Sequence, residues 1–189
     1  MALKSTVLKV QLQVSDMDRS HFDEHLLTLA QHPSETAERV MVRLLAFALH
    51  IGEGAGLQFG SGLSSDEPDL WRKDLTGVIE LWIEVGQPDE AYIRKACGRS
   101  RRVVIYNYSG RSAQVWWDKS GESLQRSKNL TVIDVDPESV AAIGKLAGRA
   151  MQIQCFIQDG AVHLMGEGEM VPVNVTARLT AAGARVGRG

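Results

Sequence analysis

The sequence predicts a mixed α/β fold, in which a central mixed β-sheet is flanked by helices and extended by additional antiparallel strands. The first observation is residues 78–86, where aliphatic side chains alternate with other residues, as in a strand with one buried face. The second is a helix start followed by the short apolar run 103–108, since strand–helix–strand spacing favours a parallel neighbour. The third is a pair of turn signals, at residues 16–18 and 159–160, which favour antiparallel hairpins.

Length and composition bound the class of protein. The chain has 189 residues, 44% of them apolar, and a formal charge of −2. We therefore predict a single domain over residues 1–180 and a disordered tail over 181–189, which lacks apolar periodicity. The charge argues against a strongly basic nucleic-acid-binding protein. No apolar run approaches the roughly 20 residues that span a bilayer, and the N-terminus lacks a signal-peptide block, so we expect a cytoplasmic protein with no membrane partner.

The first half of the chain is predicted to form a hairpin and a helix. Residues 3–14 alternate in polarity as a strand does. Residues 21–31 are compatible with strand or helix, and a strand is predicted because Pro33 ends the run and a hairpin would be compact. Ser34 is the predicted N-cap of a helix that reaches Ile51.

The second half is predicted from start signals and β-branched runs. Pro88 and Asp136 each begin a helix with a proline or an acid in the first turn. The remaining predicted elements are a short strand at 57–59, a helix within 109–120, and strands over 103–108, 130–135, 149–158, 160–166 and 170–179. The cysteines, Cys97 and Cys155, are predicted to be free thiols, as in a reducing compartment.

Acidic side chains mark the candidate site. Glu80 and Glu84 share one side of the predicted strand 78–86, and Asp69 follows Pro68 upstream. Carboxylates that converge from different elements hold Mg²⁺ through oxygen ligands and leave room for water and a phosphate. Asp69, Glu80 and Glu84 are therefore the predicted ligands for Mg²⁺ or Mn²⁺, and Glu38 can add a fourth carboxylate from the first helix.

Polar and basic residues complete the candidate set. Gln87 or Lys95 can polarise the attacking water or the phosphate, so these two join Asp69 and Glu84 as catalytic candidates. Four arginines are candidates for contact with a nucleic-acid backbone: Arg39, Arg43, Arg101 and Arg102.

Several alternatives remain open at this level. Glu35, Arg39 and Arg43 have i, i+4, i+8 spacing on the predicted helix, at which they would form ion pairs. A solvated charged stripe is favoured over a lining of a site. Asp66, Glu67 or Asp74 can replace Asp69 in another strand register. The histidines lack zinc spacing and are expected at the surface. Trp116 and Trp117 are expected in the core, with a nucleobase-stacking surface as the alternative.

A resemblance follows from these motifs. Pro-Asp, fourteen residues and then Glu-x-Gly in an aliphatic strand resembles the PD-(D/E)xK nuclease superfamily. Nearly the whole chain, from residue 2 to about 178, is similar to the YaeQ family, on segments such as LTLAQHPSETAERVMVRLLAFAL, SSDEPDLWRKDLTGVIELWIEVGQPDE and AQVWW. The resemblance implies a compact nuclease-like core. It assigns Asp69 as the Pro-Asp acid, Glu84 as the second acid and Glu38 as the acid on the helix before the sheet.

The motif departs from the superfamily at one position. Gly86 stands where the lysine is expected. Gln87, one residue later, or Lys95, on the following helix, would have to supply the missing polar group.

Two functions from different classes follow from this departure. One is a Mg²⁺-dependent nuclease that hydrolyses phosphodiester bonds in DNA or RNA. The other is a catalytically silent relative that acts as a binding or regulatory adaptor for an unidentified protein partner. The alternative to both functions is a domain in which the acidic side chains only keep one face of a sheet hydrated. The sequence favours neither a monomer nor a dimer.

Overall fold

The computed structural model describes residues 5–61 and 66–182. In these ranges the chain forms eleven strands, four α-helices and one 3₁₀ turn. The strands are β1 (Thr6–Asp16), β2 (His21–Gln31), β3 (Gln58–Phe59), β4 (Leu70–Lys73), β5 (Ile79–Val85), β6 (Ser100–Asn107), β7 (Leu130–Val135), β8 (Ala150–Gln158), β9 (Ala161–Gly166), β10 (Glu169–Val173) and β11 (Val175–Leu179). The helices are α1 (Ala37–His50), α2 (Glu90–Arg99), α3 (Arg111–Leu124) and α4 (Pro137–Gly144), and the 3₁₀ turn is Ile51–Glu53.

The strands form two mixed sheets. The first sheet has the order β10-β9-β8-β1-β2, and the second has the order β11-β7-β6-β5-β4-β3. The mixed α+β class is thus confirmed, whereas the expectation of one central sheet is wrong. The predicted hairpin is confirmed, since β1 and β2 are antiparallel over their full length. The predicted parallel neighbour is also confirmed, because β5, β6 and β7 run parallel to one another.

Helix α1 lies in the main core with residues of both sheets. Its apolar side chains are almost fully buried, with Met41, Leu44 and Leu45 each at 0% exposure. They share one apolar cluster with Leu12 of β1 and Leu81 of β5. Burying each such side chain contributes about 1.5–3 kcal/mol. Helix α1 and the two sheets therefore share one hydrophobic core.

The second face of β5 is buried as well. A strand with one buried face would leave Trp82 open beside Glu80 and Glu84, but Trp82 is 1% exposed and packs in a second core with Ile93 of α2 and Val103 of β6. The crossover helix α2 covers this face, which explains the difference. Only the C-terminal end of β5 is left to reach a cleft.

Two details of the chain path differ from the sequence predictions. The N-cap of α1 is Thr36 rather than Ser34, and its hydroxyl accepts from the Arg39 amide at 3.2 Å. The strand expected over 170–179 divides at Asn174, where the chain passes from the first sheet to the second. Asn174 is held there by the Ser139 hydroxyl, which accepts from its amide at 3.0 Å.

The remaining predictions concern the cysteines, the tail and the membrane. Cys97 and Cys155 are free thiols, as predicted. Ala181, assigned to the tail, is buried, and its amide donates to the Thr131 hydroxyl at 3.2 Å. The rest of the tail, residues 183–189, lies outside the described residues. Over the described ranges, no helix has the length and apolarity that crossing a membrane requires.

Candidate active site

Two adjacent strands bring Asp69 and Glu84 together. The antiparallel register of β4 and β5 pairs Leu70 with Ile83. Asp69 directly precedes β4 and Glu84 directly follows Ile83, and the charge of Asp69 acts on Glu84. Asp69 is anchored there, because its Oδ2 accepts from the Val85 amide at 2.8 Å. Both acids line a cleft of about 620 Å³.

A close backbone approach fixes the Pro68–Asp69 segment. The Gly60 amide donates to the Asp69 carbonyl at 2.8 Å. A Cβ at Gly60 would lie 2.0 Å from the Pro68 carbonyl oxygen, which is a direct collision with backbone. Glycine is therefore required at position 60 to hold the chain beside the acid.

Arginines from α1 reach the same acid. Arg39 Nη2 donates to Asp69 Oδ1 and Oδ2 at 2.9 and 2.8 Å, and Arg39 Nη1 donates to Glu35 Oε1 at 2.8 Å. Arg43 Nη1 donates to Glu35 Oε2 at 3.1 Å, and Arg43 Nε lies 3.5 Å from Asp69 Oδ1. The spacing of Glu35, Arg39 and Arg43 thus produces the expected ion pairs, but these side chains line the cleft rather than a solvated stripe.

One of these arginines retains an unused donor. The side chain of Arg43 is 5% exposed, and its Nε has no hydrogen-bond partner within the described part of the chain. A buried N–H without an acceptor is costly, and an acceptor oxygen from a ligand would satisfy it.

Glu84 has an unusual environment for an acid. Burial, together with the nearby charge of Asp69, raises the pKa of Glu84 to about 8. Its Oε2 accepts hydrogen bonds from Tyr92 Oη at 3.1 Å and from Trp82 Nε1 at 3.3 Å, which partly oppose the shift. The Glu84 carboxyl group therefore keeps its proton to a higher pH than an exposed glutamate does. Burial and the Glu84 charge in turn raise the pKa of Tyr92.

Acids outnumber bases around the cleft. Its lining includes the carboxyl groups of Glu35, Glu67, Asp69, Glu84 and Asp89, and the guanidinium groups of Arg39 and Arg43. Glu67 is held by Ser61, whose amide and hydroxyl donate to it at 3.0 and 2.5 Å. An excess of carboxylates attracts cations and repels a polyanion such as nucleic acid unless a cation is present.

Two predicted metal ligands do not join this group. Glu38 packs against Gly144 of α4, because successive residues of a helix point about 100° apart and the neighbouring Arg39, with Arg43 one turn later, occupies the side that faces the cleft. Glu80 lies four residues before Glu84, about 13 Å along the strand. Its carboxylate pairs instead with Arg72 at 3.3 Å and with Arg101 at 3.9 Å.

Neither substitute for the missing lysine reaches the cleft. Gln87 Nε2 donates to Asn107 Oδ1 at 2.7 Å and to the Tyr108 carbonyl at 2.5 Å, so it ties β5 to β6. Lys95 forms an ion pair with Asp66 on the surface. Among the residues that the structure describes, no lysine lines the cleft. Gly86 has a φ of +114°, a conformation that a lysine would adopt only with strain.

The other two candidate arginines also lie elsewhere. Arg101 is exposed and pairs with Asp74 at 3.6 Å and with Glu80. Arg102 points to the opposite side of β6, where it pairs with Glu53. The four arginines therefore do not form one patch, and Arg39 and Arg43 alone belong to the cleft.

Sequence reasoning missed the role of two aromatic groups and one histidine. The Tyr92 hydroxyl donates to Glu84, and no local signal in the sequence indicates this contact. Trp116 is half-buried at the second core, and its Nε1 donates to the Pro88 carbonyl at 2.8 Å. His50 was expected at the surface, but it is 7% exposed and contacts Tyr106 Oη at 2.9 Å, because α1 is buried to its last residue.

Comparisons with known proteins identify close relatives. An uncharacterised YaeQ protein of Escherichia coli K12 is 44% identical over 179 residues, which cover 94% of this chain and 97% of the relative. The crystal structure of the YaeQ protein of Xanthomonas axonopodis pv. citri has a TM-score of 0.88 and 48% identity, and covers 95% of this chain and 100% of the other. The YaeQ structure of Pseudomonas syringae has a TM-score of 0.87, 33% identity and coverages of 93% and 97%. The family model described as YaeQ protein matches residues 1–175, and this chain therefore belongs to the YaeQ family.

Proposed function

We propose that the cleft hydrolyses phosphodiester bonds in nucleic acid with the help of a divalent cation, Mg²⁺ or Mn²⁺. The observation that carries the proposal is the placement of Asp69 and Glu84 in one cleft with Arg39 and Arg43. Paired carboxylates are the oxygen ligands that hard cations prefer, and guanidinium groups match the geometry of phosphate.

The donor set of the cleft fits such a cation. The excess of acids over arginines favours a dication, and Asp69 and Glu84 supply oxygen ligands from two rigid strands. Asp69 and Glu84 would hold the cation, which would polarise a phosphate oxygen and lower the pKa of a bound water. Glu84 releases its proton when its carboxylate becomes a ligand, since a metal ligand must be deprotonated.

The arginines have a clear part in this chemistry. Arg39 is bound to Asp69, so a cation at Asp69 competes with Arg39 for the same oxygens. Arg39 is then available to a phosphate, which accepts hydrogen bonds as a carboxylate does. Arg43 Nε, which lies 3.5 Å from Asp69 Oδ1 and makes no hydrogen bond within the described residues, supplies a second donor nearby. The guanidinium groups of Arg39 and Arg43 would stabilise the negative charge that the motif lysine stabilises in the PD-(D/E)xK superfamily.

The resemblance to the PD-(D/E)xK superfamily supports the proposal. Asp69 and Glu84 are the two positions that match the motif, and they are neighbours in space. We propose that the second sheet, with β5, β6 and β7 parallel and α2 across one face, is the nuclease-like core of this chain.

The proposal is tested by cleavage assays with Mg²⁺ or Mn²⁺ on single-stranded and double-stranded DNA and RNA. Asp69→Asn and Glu84→Gln keep the side-chain size and remove a ligand charge, so we expect cleavage to fall at least about a hundredfold. Glu80→Gln is the matched control, because it lies on the same strand outside the cleft and leaves cleavage unchanged. Cleavage that persists in the Glu84→Gln variant would contradict the proposed mechanism.

A second candidate is a catalytically silent adaptor that binds a protein partner. It is favoured by Asp69, whose two carboxylate oxygens already accept from Arg39 and Val85, and by the glycine at position 86. This function predicts no cleavage with any metal. It also predicts partner capture that Glu84→Ala does not change and that salt does not weaken, whereas phosphate-driven binding weakens steeply with salt.

A further inference from the structure

A second group of metal-ligating side chains lies far from the cleft, on strand β2. His21, Asp23 and His25 alternate along the strand and therefore share one face. Their ligand atoms, one from each residue, all lie within 4.8 Å of one another. Ala30, where β2 approaches the cleft, is five residues beyond His25, roughly 17 Å along the strand, and none of the three residues lines the cleft. This group is thus independent of the proposed hydrolytic site.

The histidine rings are held in position by apolar packing. The His21 and His25 rings stack with centroids 6.2 Å apart and planes 15° from parallel. His25 meets the Phe47 ring of α1 edge-on at 5.5 Å, and the ring carbons of His21 lie against Gly52. Both rings are therefore fixed before any ligand binds, which lowers the entropic cost of binding.

The polar atoms of this group lack partners. Nε2 of His21 and Nε2 of His25 are buried and make no hydrogen bond within the described residues. Asp23 Oδ1 accepts from the Glu24 amide at 2.8 Å, while Oδ2 faces His25 Nε2 at 3.9 Å, too far for a hydrogen bond. In either tautomer a buried imidazole nitrogen without a partner costs free energy, and a coordinated cation removes this cost for both rings.

The chemistry of the donors selects the class of cation. Two imidazole nitrogens and one carboxylate are typical ligands of first-row transition metals, and of Zn²⁺ in particular, rather than of Mg²⁺. The Asp23 side chain is 59% exposed, so the group reaches solvent on its Asp23 side, from which a water can supply the fourth ligand. The contact of His21 with Gly52 also places the group at the C-terminal end of α1, where the helix dipole favours a positive charge.

We infer that His21, Asp23 and His25 form a binding site for a divalent transition metal, with Zn²⁺ as the representative ion. The site holds three protein ligands on one strand and leaves an open coordination position. It requires no change in the path of β2, since all three residues lie on the same face of a regular strand.

The test is a calorimetric titration of the full chain with Zn²⁺, together with Co²⁺ as a spectroscopic probe. We expect one Zn²⁺ per chain at this site, and absorption bands of Co²⁺ in a nitrogen and oxygen environment. His21→Ala and Asp23→Asn should each weaken the binding about tenfold or more. His163→Ala, in the same sheet, is the matched control and should leave the binding unchanged.

Folding and binding are separated by a second measurement. Zn²⁺ should raise the thermal midpoint of the native chain, because a ligand that binds only the folded state stabilises it. Asp23→Asn changes a mostly exposed side chain, so its midpoint without metal should match that of the native chain while the rise with Zn²⁺ is lost. Undiminished Zn²⁺ binding in both His21→Ala and Asp23→Asn would overturn the inference, as would the absence of Zn²⁺ binding to the native chain.

Discussion

Arg39 and Asp69 are thirty positions apart in the sequence, and one guanidinium nitrogen of Arg39 donates to both oxygens of Asp69 at 2.9 and 2.8 Å. This contact joins the first turn of α1 to the start of β4. It also determines the state of the cleft, because the acid that the motif assigns to metal binding already has a cationic partner.

The first prediction concerns this ion pair. Arg39→Met leaves Asp69 and Glu35 with fewer partners, so we expect the free energy of unfolding to fall by roughly 1–3 kcal/mol. The same change should strengthen Mg²⁺ binding, because it removes the group that competes for Asp69. Urea denaturation and calorimetric titration with Mg²⁺ measure the two effects.

Arg94→Met is the control for Arg39→Met. Arg94 pairs with Glu90 at 3.4 Å on the exposed side of α2, where an ion pair contributes little. Its stability should change by less than about 0.5 kcal/mol. Equal losses in the two variants would contradict the role given to Arg39.

The second prediction is a dependence of stability on pH. The pKa of Glu84 is raised from 4.5 to about 8 in the folded chain, so between these values the folded state binds more protons than the unfolded state. The stabilisation is complete below about pH 4.5 and is lost as the pH rises to about 8, with a slope of at most roughly 1.4 kcal/mol per pH unit.

Glu84→Gln tests this dependence. Glutamine cannot ionise, so the free energy of unfolding of the Glu84→Gln variant should decline less than that of the native chain across the same pH range. Denaturation curves at intervals of one pH unit provide the comparison. Parallel pH profiles for the two proteins would show that Glu84 does not carry the raised pKa.

The third prediction concerns the Tyr92 hydroxyl, which donates to Glu84 at 3.1 Å. This hydrogen bond stabilises the charged form of Glu84, so Tyr92→Phe should raise the pKa of Glu84 further. A hydrogen bond of about 1 kcal/mol corresponds to roughly 0.7 of a pKa unit. Carbon-13 NMR titration of the Glu84 carboxyl group measures the shift, and a lower pKa would refute this assignment.

The fourth prediction concerns Gly86, whose φ of +114° places it in a region that other residues avoid. A Cβ there would meet no atom within 4 Å, so the cost of Gly86→Ala comes from the backbone alone. We expect a loss of about 1–3 kcal/mol in the free energy of unfolding. Gly86→Lys should be strained in the same way and should therefore not simply restore the superfamily motif.

Gly98→Ala is the matched control for Gly86→Ala. Gly98 lies in α2, and a Cβ there also meets no atom within 4 Å. Alanine favours helix, so this variant should be neutral or more stable by up to about 1 kcal/mol. A stabilising effect at both positions would show that φ at Gly86 imposes no constraint.

The outcome for the helix acids shows where local prediction ends. Ser34 and Thr36 are both good N-caps, and local sequence does not decide between them. The structure uses Thr36, but this choice does not decide where Glu38 points: successive helix residues point about 100° apart, so Arg39 meets Glu35 while Glu38 lies against Gly144. The predicted helix acid Glu38 therefore lies away from the cleft, whereas the spacing of Glu35, Arg39 and Arg43 corresponds to the ion pairs that form.

The sequence alone determined the elements whose signals are local: the alternating strands, the hairpin of β1 and β2, the crossover through α2, and the pair Asp69 and Glu84 as candidate acids. These depend on periodicity and capping within a few residues. Tertiary structure decided the division into two sheets, the burial of Trp82, the ion pair between Arg39 and Asp69, and the contact of Tyr92 with Glu84. Each of these features either joins segments that are distant in the chain or depends on which element covers a face of a sheet. Side-chain periodicity describes one segment at a time, so it carries no information on either.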